Sequence, residues 1–119
     1  MTSIAKIWGT TEPLIVTPMF EMHRLKIEQW ARCSFHVHRF KHNALYVVVG
    51  ELFLDIANGD FEPPAEVRLR TGEHYTINPG VHHQFRTGHE PAHALEMYFT
   101  EPLSEDIVRR NIGERLKHD

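Results

Sequence analysis

The order of apolar and polar positions divides the chain into many short strands. From residue 20 to 29 the sequence FEMHRLKIEQ alternates, with His23, Leu25 and Ile27 on one face and Arg24, Lys26 and Glu28 on the other. A period of two is the pattern of a strand with one buried face. Residues 32 to 38 and 44 to 57 continue in the same style, and Gly50, between YVVV and ELFLDI, predicts a turn or sharp bend. In NGDFEPPA, residues 58 to 65, Asn58-Gly59 favours a tight reversal and Pro63-Pro64 forbids regular pairing, so a surface loop is expected. Val67 and Leu69, then Tyr75 and Ile77, predict two more strands around Thr71-Gly72. Asn78-Pro79-Gly80 predicts another turn, followed by a strand in VHHQFRT, a loop in GHEPAH and a last strand in ALEMYF.

The two ends differ from this pattern. Residues 1 to 13 show little periodicity beyond Ile4, Ile7 and Trp8 and are expected to form an arm, lying on their own barrel or on a partner. Residues 14 to 16 read as a short strand stopped by Pro18. After Pro102, LSEDIVRRNIGERL spaces Leu103, Ile107, Ile112 and Leu116 as a helix would, with Ser104 and acidic residues at its start, so a helix over 103–117 is expected. The whole predicts one all-β domain over 1–119, a sandwich or barrel with a C-terminal helix.

Composition narrows the function. A net charge of -3 without a basic stripe lacks the electrostatic footprint of a nucleic-acid binder. The single cysteine, Cys33, cannot form an internal disulfide, the first residues lack the apolar core of a secretion signal, and no apolar run is long enough to cross a bilayer. A cytoplasmic protein with no membrane partner is the default expectation. Ten histidines are many for 119 residues, and the stretch SFHVHRFKHNALYVVVG, 34 to 50, concentrates them. His36 and His38, two apart on a strand, project from one face and can converge on one object. A transition ion needs three or four ligands from different strands, and a third is available from His82 or His83, of which one points inward and the other outward. Spacing alone leaves these residues open between ligands and ordinary surface or hydrogen-bonded histidines.

Both halves of this arrangement resemble the motifs of the cupin superfamily. Its first motif runs glycine, His-x-His, a glutamate and a closing glycine; here stand His36, His38, Asn43 where the glutamate is expected, and Gly50. The opening glycine is absent, with Glu28 near its place. Its second motif is matched by Gly72, Gly80 and His83, with Asn78 in the proline position, Pro79 between Asn78 and Gly80, and Thr87 in place of the final asparagine. The resemblance thus selects His83 over His82, and it implies a double-stranded β-helix, the jelly-roll barrel. A narrower resemblance covers most of the chain. KIWGTTEPLI is similar to the Lys-Pro-Trp-Gly opening of the cupin domain of type II mannose-6-phosphate isomerases, and ALEMYFTEPLSEDIVR is similar to their closing strand and helix start. There Glu96 takes the place of the strand glutamate and Arg109 that of the helix arginine, while the end of the family's pattern is only partly echoed by Gly113 and Arg115.

The resemblance implies one divalent transition-metal ion (Zn, Fe, Mn or Ni) on His36, His38 and His83, with Asn43 as a weak oxygen donor or His42 as an alternative fourth ligand. An amide in place of a carboxylate leaves more uncompensated positive charge, which lowers affinity and makes a bound water more acidic. Sugar-phosphate isomerisation would need a proton-shuttling group, for which Glu96 and Tyr98, on one strand face, are the candidates. Glu96 could equally face outward, because Leu95, Met97 and Phe99 form the plainly apolar side. Arg39, Lys41, Arg86 and Arg109 are available to a phosphate. His74, His89, His93 and His118 are expected in surface or hydrogen-bonding roles. The expected ligand is a small molecule, a carbohydrate or sugar phosphate, and the family resemblance implies a homodimer. Two other functions stay open: a three-histidine non-haem iron oxygenase, and a cupin that holds a carbohydrate without turning it over.

Overall fold

The computed structural model describes residues 2–59, 62–100 and 106–117. Among the described residues there are nine strands and no helix: β1 Ile4–Lys6, β2 Gly9–Val16, β3 Phe20–Ile27, β4 His42–Val49, β5 Glu51–Ala57, β6 Ala65–Arg70, β7 His74–Ile77, β8 His82–Arg86 and β9 Ala92–Phe99. They make a six-stranded sheet in the order β1-β2-β3-β9-β4-β7 and a three-stranded sheet in the order β6-β5-β8, with antiparallel pairing throughout. The alternation sets which side of each strand enters the core. Leu25 and Ile27 of β3, Leu45 and Val47 of β4, Leu52 and Leu54 of β5, Leu69, Ile77, Phe85 and the two alanines Ala92 and Ala94 of β9 meet between the sheets. No helix among the described residues is long and apolar enough to cross a membrane.

Gly50 is where the chain leaves the large sheet for the small one. Its φ is +99°, and a Cβ there would stand 2.4 Å from the carbonyl oxygen of Pro91, so only glycine lets β4 pass so close to the start of β9 and bend into β5.

Residues 32 to 38, expected as a regular strand, are mostly irregular. They nevertheless run antiparallel beside β8. Cys33 N donates to Phe85 O, His36 and His83 exchange both backbone hydrogen bonds, and Arg32 faces Arg86 across a second isolated bridge. Five residues on this segment, 32 to 36, span four on β8, 83 to 86. The extra residue is a bulge, and it lets Arg32 lie outside the barrel while His36 turns inward.

The ends correct two expectations. The N-terminal segment is more regular than expected: β2 extends over eight residues, where a strand over 14–16 was expected, and pairs along β3 with a bulge between Pro13 and Ile15, and β1 pairs with β2. Trp8 packs edge-on against Phe85, with ring centroids 5.0 Å apart, so this segment covers its own barrel. Among the described residues of the expected C-terminal helix, 106–117, no helix forms. Residues 106–117 are non-helical and exposed, with Ile107, Val108, Ile112 and Leu116 all at least half open to solvent. A helix of this length needs an apolar face packed on the rest of the molecule, and here nothing receives it. Gly113, at φ +78°, interrupts the segment further. Residues 60–61 of the predicted loop, 103–105 of the predicted helix, and His118 lie outside the described residues.

Candidate metal centre

Three strand-end features bring the histidines together. The bridge between His36 and His83 sets those two side by side. Gly80, at φ +85°, closes the turn before β8, and its N–H donates to His38 O at 2.8 Å, which ties His38 to the same turn. The three rings then sit with centroids 4.6 to 5.3 Å apart, and their nitrogens lie within 4.8 Å of one another. Three nitrogens bound evenly around one ion at about 2.1 Å lie about 3.0–3.6 Å apart, so side-chain shifts of about an ångström close the set.

Each ring is oriented from behind. His83 Nδ1 lies 2.9 Å from Val81 O and His36 Nδ1 lies 2.8 Å from Ser34 O. A carbonyl only accepts, so Nδ1 carries the hydrogen in both rings and the lone pair is left on Nε2, which is how ligating histidines are commonly held. His38 Nε2 is buried without a hydrogen-bond partner. Burial, then the neighbouring His36, His83 and Lys41, push the His38 imidazolium down to about 4, and burial also lowers His83. At neutral pH both rings are uncharged, the form that binds a metal.

Asn43 is fully buried between this cluster and the acid of β9. Its amide nitrogen donates to Met97 O at 3.2 Å and to Glu96 Oε2 at 3.4 Å, leaving Oδ1 3.1 Å from His83 Nε2. With Nδ1 of His83 already protonated, two lone-pair atoms face each other there. That separation is about the edge of an octahedral shell with 2.1 Å ligands, and a cation between them reconciles the pair. The residues present therefore fit a metal ion. His42 occupies a different place: its ring stacks flat on Phe99, 5.1 Å away, and it is not part of the three-histidine cluster.

Glu96 points into the barrel, on the face of β9 that carries Ala92 and Ala94, and is 9% exposed. Burial raises its carboxyl above the usual range, against the lowering effect of hydrogen bonds from Tyr98 and Asn43. Burial, and then Glu96 itself, raise the Tyr98 phenol as well. A cavity of about 320 Å³ opens beside them, lined by Lys6, His23, Cys33, His36, Glu96 and Tyr98 among others. Lys41 reaches over the Tyr98 ring, with Nζ 4.5 Å from its centroid. Of the other candidate cations, Arg86 points outward onto Asp55, and Arg39 and Arg109 are exposed. His23 and Lys6 were not singled out by sequence. The strand alternation carried the signal for His23, which shares a face with the buried Leu25 and Ile27; nothing marked Lys6.

Of the remaining histidines, His93 departs from expectation, since its Nε2 is buried without a partner. Thr87, which stands where the motif has asparagine, is buried and structural: its hydroxyl donates to Glu28 O and accepts from Ala31 N, fastening the turn that leads to the histidine segment.

The Cys33 thiol lines the cavity without being activated. Burial pushes it up to about 11. At pH 8 its thiolate population is expected to be about 100-fold below that of a free cysteine. Reaction with a disulfide reagent should be slowed by a similar factor in the native protein and return to the free rate in denaturant; fast native labelling would contradict this placement.

No protein-family model matches the chain, and no match was found among curated proteins. Solved structures are similar in fold. KdgF from Halomonas sp. superposes with a TM-score of 0.72 at 14% identity, over 86% of this chain and 90% of its own. An RmlC-like cupin from Shewanella frigidimarina gives 0.70 at 17% identity, over 84% of both chains. The capsular polysaccharide assembling protein CapF from Staphylococcus aureus gives 0.73 at 16% identity, over 87% of this chain but 31% of its own. The chain thus has the cupin fold.

Proposed function

We propose that this cupin-fold protein holds one divalent transition-metal ion on His36, His38 and His83, with Asn43 Oδ1 beside it, and binds a small carbohydrate or sugar phosphate in the adjoining cavity. The observation that carries the metal reading is the orphaned, buried Nε2 of His38 among two histidines whose Nδ1 atoms are tied to carbonyls. The carbohydrate reading is supported by the resemblance to mannose-6-phosphate isomerases at both ends of the chain, and by the polar lining of the cavity. Lys41, beside Tyr98, suits an acidic substituent on the ligand.

When bound, the ion would supply a positive centre that polarises an oxygen of the ligand. The chain's own contribution is proton handling. Glu96 is buried, biased toward its protonated form and hydrogen-bonded by Tyr98, which suits it to hold a proton and return it within the cavity. Isomerisation of mannose 6-phosphate is the activity to assay. Glu96→Gln should retain the ion and lose about 100-fold or more in turnover; a variant with unchanged turnover would remove Glu96 from the chemistry. Tight sugar binding without product in the unmodified protein would favour a binding module, and oxygen uptake with ferrous iron would favour the oxygenase, which three histidines without a carboxylate also suit. A homodimer is proposed as well, with support from the exposed Ile4 and Ile7 at the β1 edge of the large sheet. The cytoplasm is the proposed compartment, on the lone cysteine.

A further inference from the structure

A second recess, of about 510 Å³, lies outside the barrel where residues 30–32 and 86–89 flank β5, and it takes no part in the metal centre. Trp30, Arg32, Glu51, Phe53, Arg86 and His89 are among its lining residues. Three observations point to a ligand there.

Trp30 is the one non-glycine residue with positive φ among the described residues, at +54°. A left-handed position in a turn favours glycine or asparagine, and a tryptophan is strained there. Its indole is 74% exposed, so burial within the fold does not offset that strain. The ring is held out over the recess at a cost to the fold.

Arg32 makes no ion pair or side-chain hydrogen bond among the described residues. Its bridge partner Arg86 is engaged by Asp55 at 3.0 Å and by Glu66, and Arg68 by Glu51 at 2.6 Å. The nearby carboxylates are therefore taken up by other guanidiniums, and Asp55 feels Arg32 only at longer range.

Phe53 supplies an apolar wall, with Arg86 stacked over it at 4.9 Å. An exposed indole face, the apolar edge of Phe53 and an unmatched guanidinium are the elements of a site for a ring that bears an acid. We propose that this recess binds a small carboxylate carried on a single flat-faced ring, the ring against Trp30 and the carboxylate on Arg32. An aryl acid and a pyranose acid share this chemistry.

The test uses the intact chain. Trp8 and Trp30 are its two tryptophans, so a nitrogen-15 correlation spectrum has two indole N–H signals, assigned with Trp30→Gly. Benzoate and glucuronate are titrated separately, each beside a neutral counterpart, benzyl alcohol or glucose. Saturable movement of the Trp30 signal with at least one carboxylate, with Trp8 unmoved and the neutral counterpart at least tenfold weaker, supports the proposal; which acid saturates identifies the class. Arg32→Gln should weaken binding at least tenfold. Trp30→Gly should abolish it without lowering the melting temperature. The proposal is overturned if neither acid moves the signal, if Arg32→Gln binds as tightly as the unmodified chain, if Trp30→Gly unfolds the protein, or if the Trp30 signal moves with protein concentration alone, which would make the face a contact between copies.

Discussion

His83→Ala is expected to lose stoichiometric metal on dialysis while the unmodified protein and His82→Ala retain it. His83 is the most buried of the three histidines, at 3% exposure, and it alone touches Asn43. Removing it leaves His36 and His38, both partly open to solvent, to hold the ion with an amide oxygen. Loss of a supporting group around a metal ligand typically costs about 10- to 100-fold in affinity, and loss of the ligand itself should cost at least the upper figure. His82 lies one residue away on the outward face of β8, so its removal leaves the ligand set intact. The variant should remain folded: deleting the buried ring leaves a cavity and is expected to cost about 2–4 kcal/mol, less than the roughly 5–15 kcal/mol of a typical domain. Elemental analysis after dialysis, with a circular dichroism melt as the fold control, reads both effects. Stoichiometric metal on a folded His83→Ala protein would contradict the assignment.

Gly50→Ala is expected to have the largest effect on the fold. The new methyl would stand 2.4 Å from Pro91 O and 3.1 Å from Ala92 Cα, both backbone atoms, at a φ of +99°. Positive φ alone costs a non-glycine residue about 1–3 kcal/mol. The clash adds to this, because neither β4 nor β9 can move without disturbing the core alanines beside them. A total of about 3 kcal/mol or more corresponds to a fall of roughly 10 °C or more in melting temperature for a chain of this size. Gly59 is the matched control: it has open space around its Cβ position and no positive φ, so Gly59→Ala should stay within about 0.5 kcal/mol. An unchanged melt for Gly50→Ala would mean that the bend does not have the close approach described.

The legible part of the fold is the part controlled by local chemistry. Alternation located the regular strands from β3 onward, and Gly50, Asn58-Gly59 and Asn78-Pro79-Gly80 punctuated them. The strands of the N-terminal arm were not legible because β2 carries Gly9, Thr10, Thr11, Glu12 and Pro13, a poor strand sequence that is held in place by pairing with β3 rather than by its own propensity. The tail erred in the opposite way. Its local helix signals were present, but no surface receives its apolar residues, and burial decides the stability of a short helix. In the site, one motif separated His83 from His82, and the strand parity of β8 agrees with it. The facing of Glu96 was not legible, because Leu95 and Met97 looked like the buried side. Both flank a strand covered on each edge, and they are partly buried on the outer face, while the inner face is built from small alanines and a carboxyl group. The role of Asn43 was half legible. Spacing placed it at the ligand position, but only the three-dimensional arrangement shows its amide joining His83 to Glu96.

That junction makes the location of the ion the central question, and an anomalous-scattering map from a crystal of the metal-loaded protein answers it most directly. The account predicts one peak per chain, about 2.0–2.1 Å from a nitrogen of each of His36, His38 and His83. A loaded crystal whose metal peak lies elsewhere, or in contact with only one of these histidines, would contradict it.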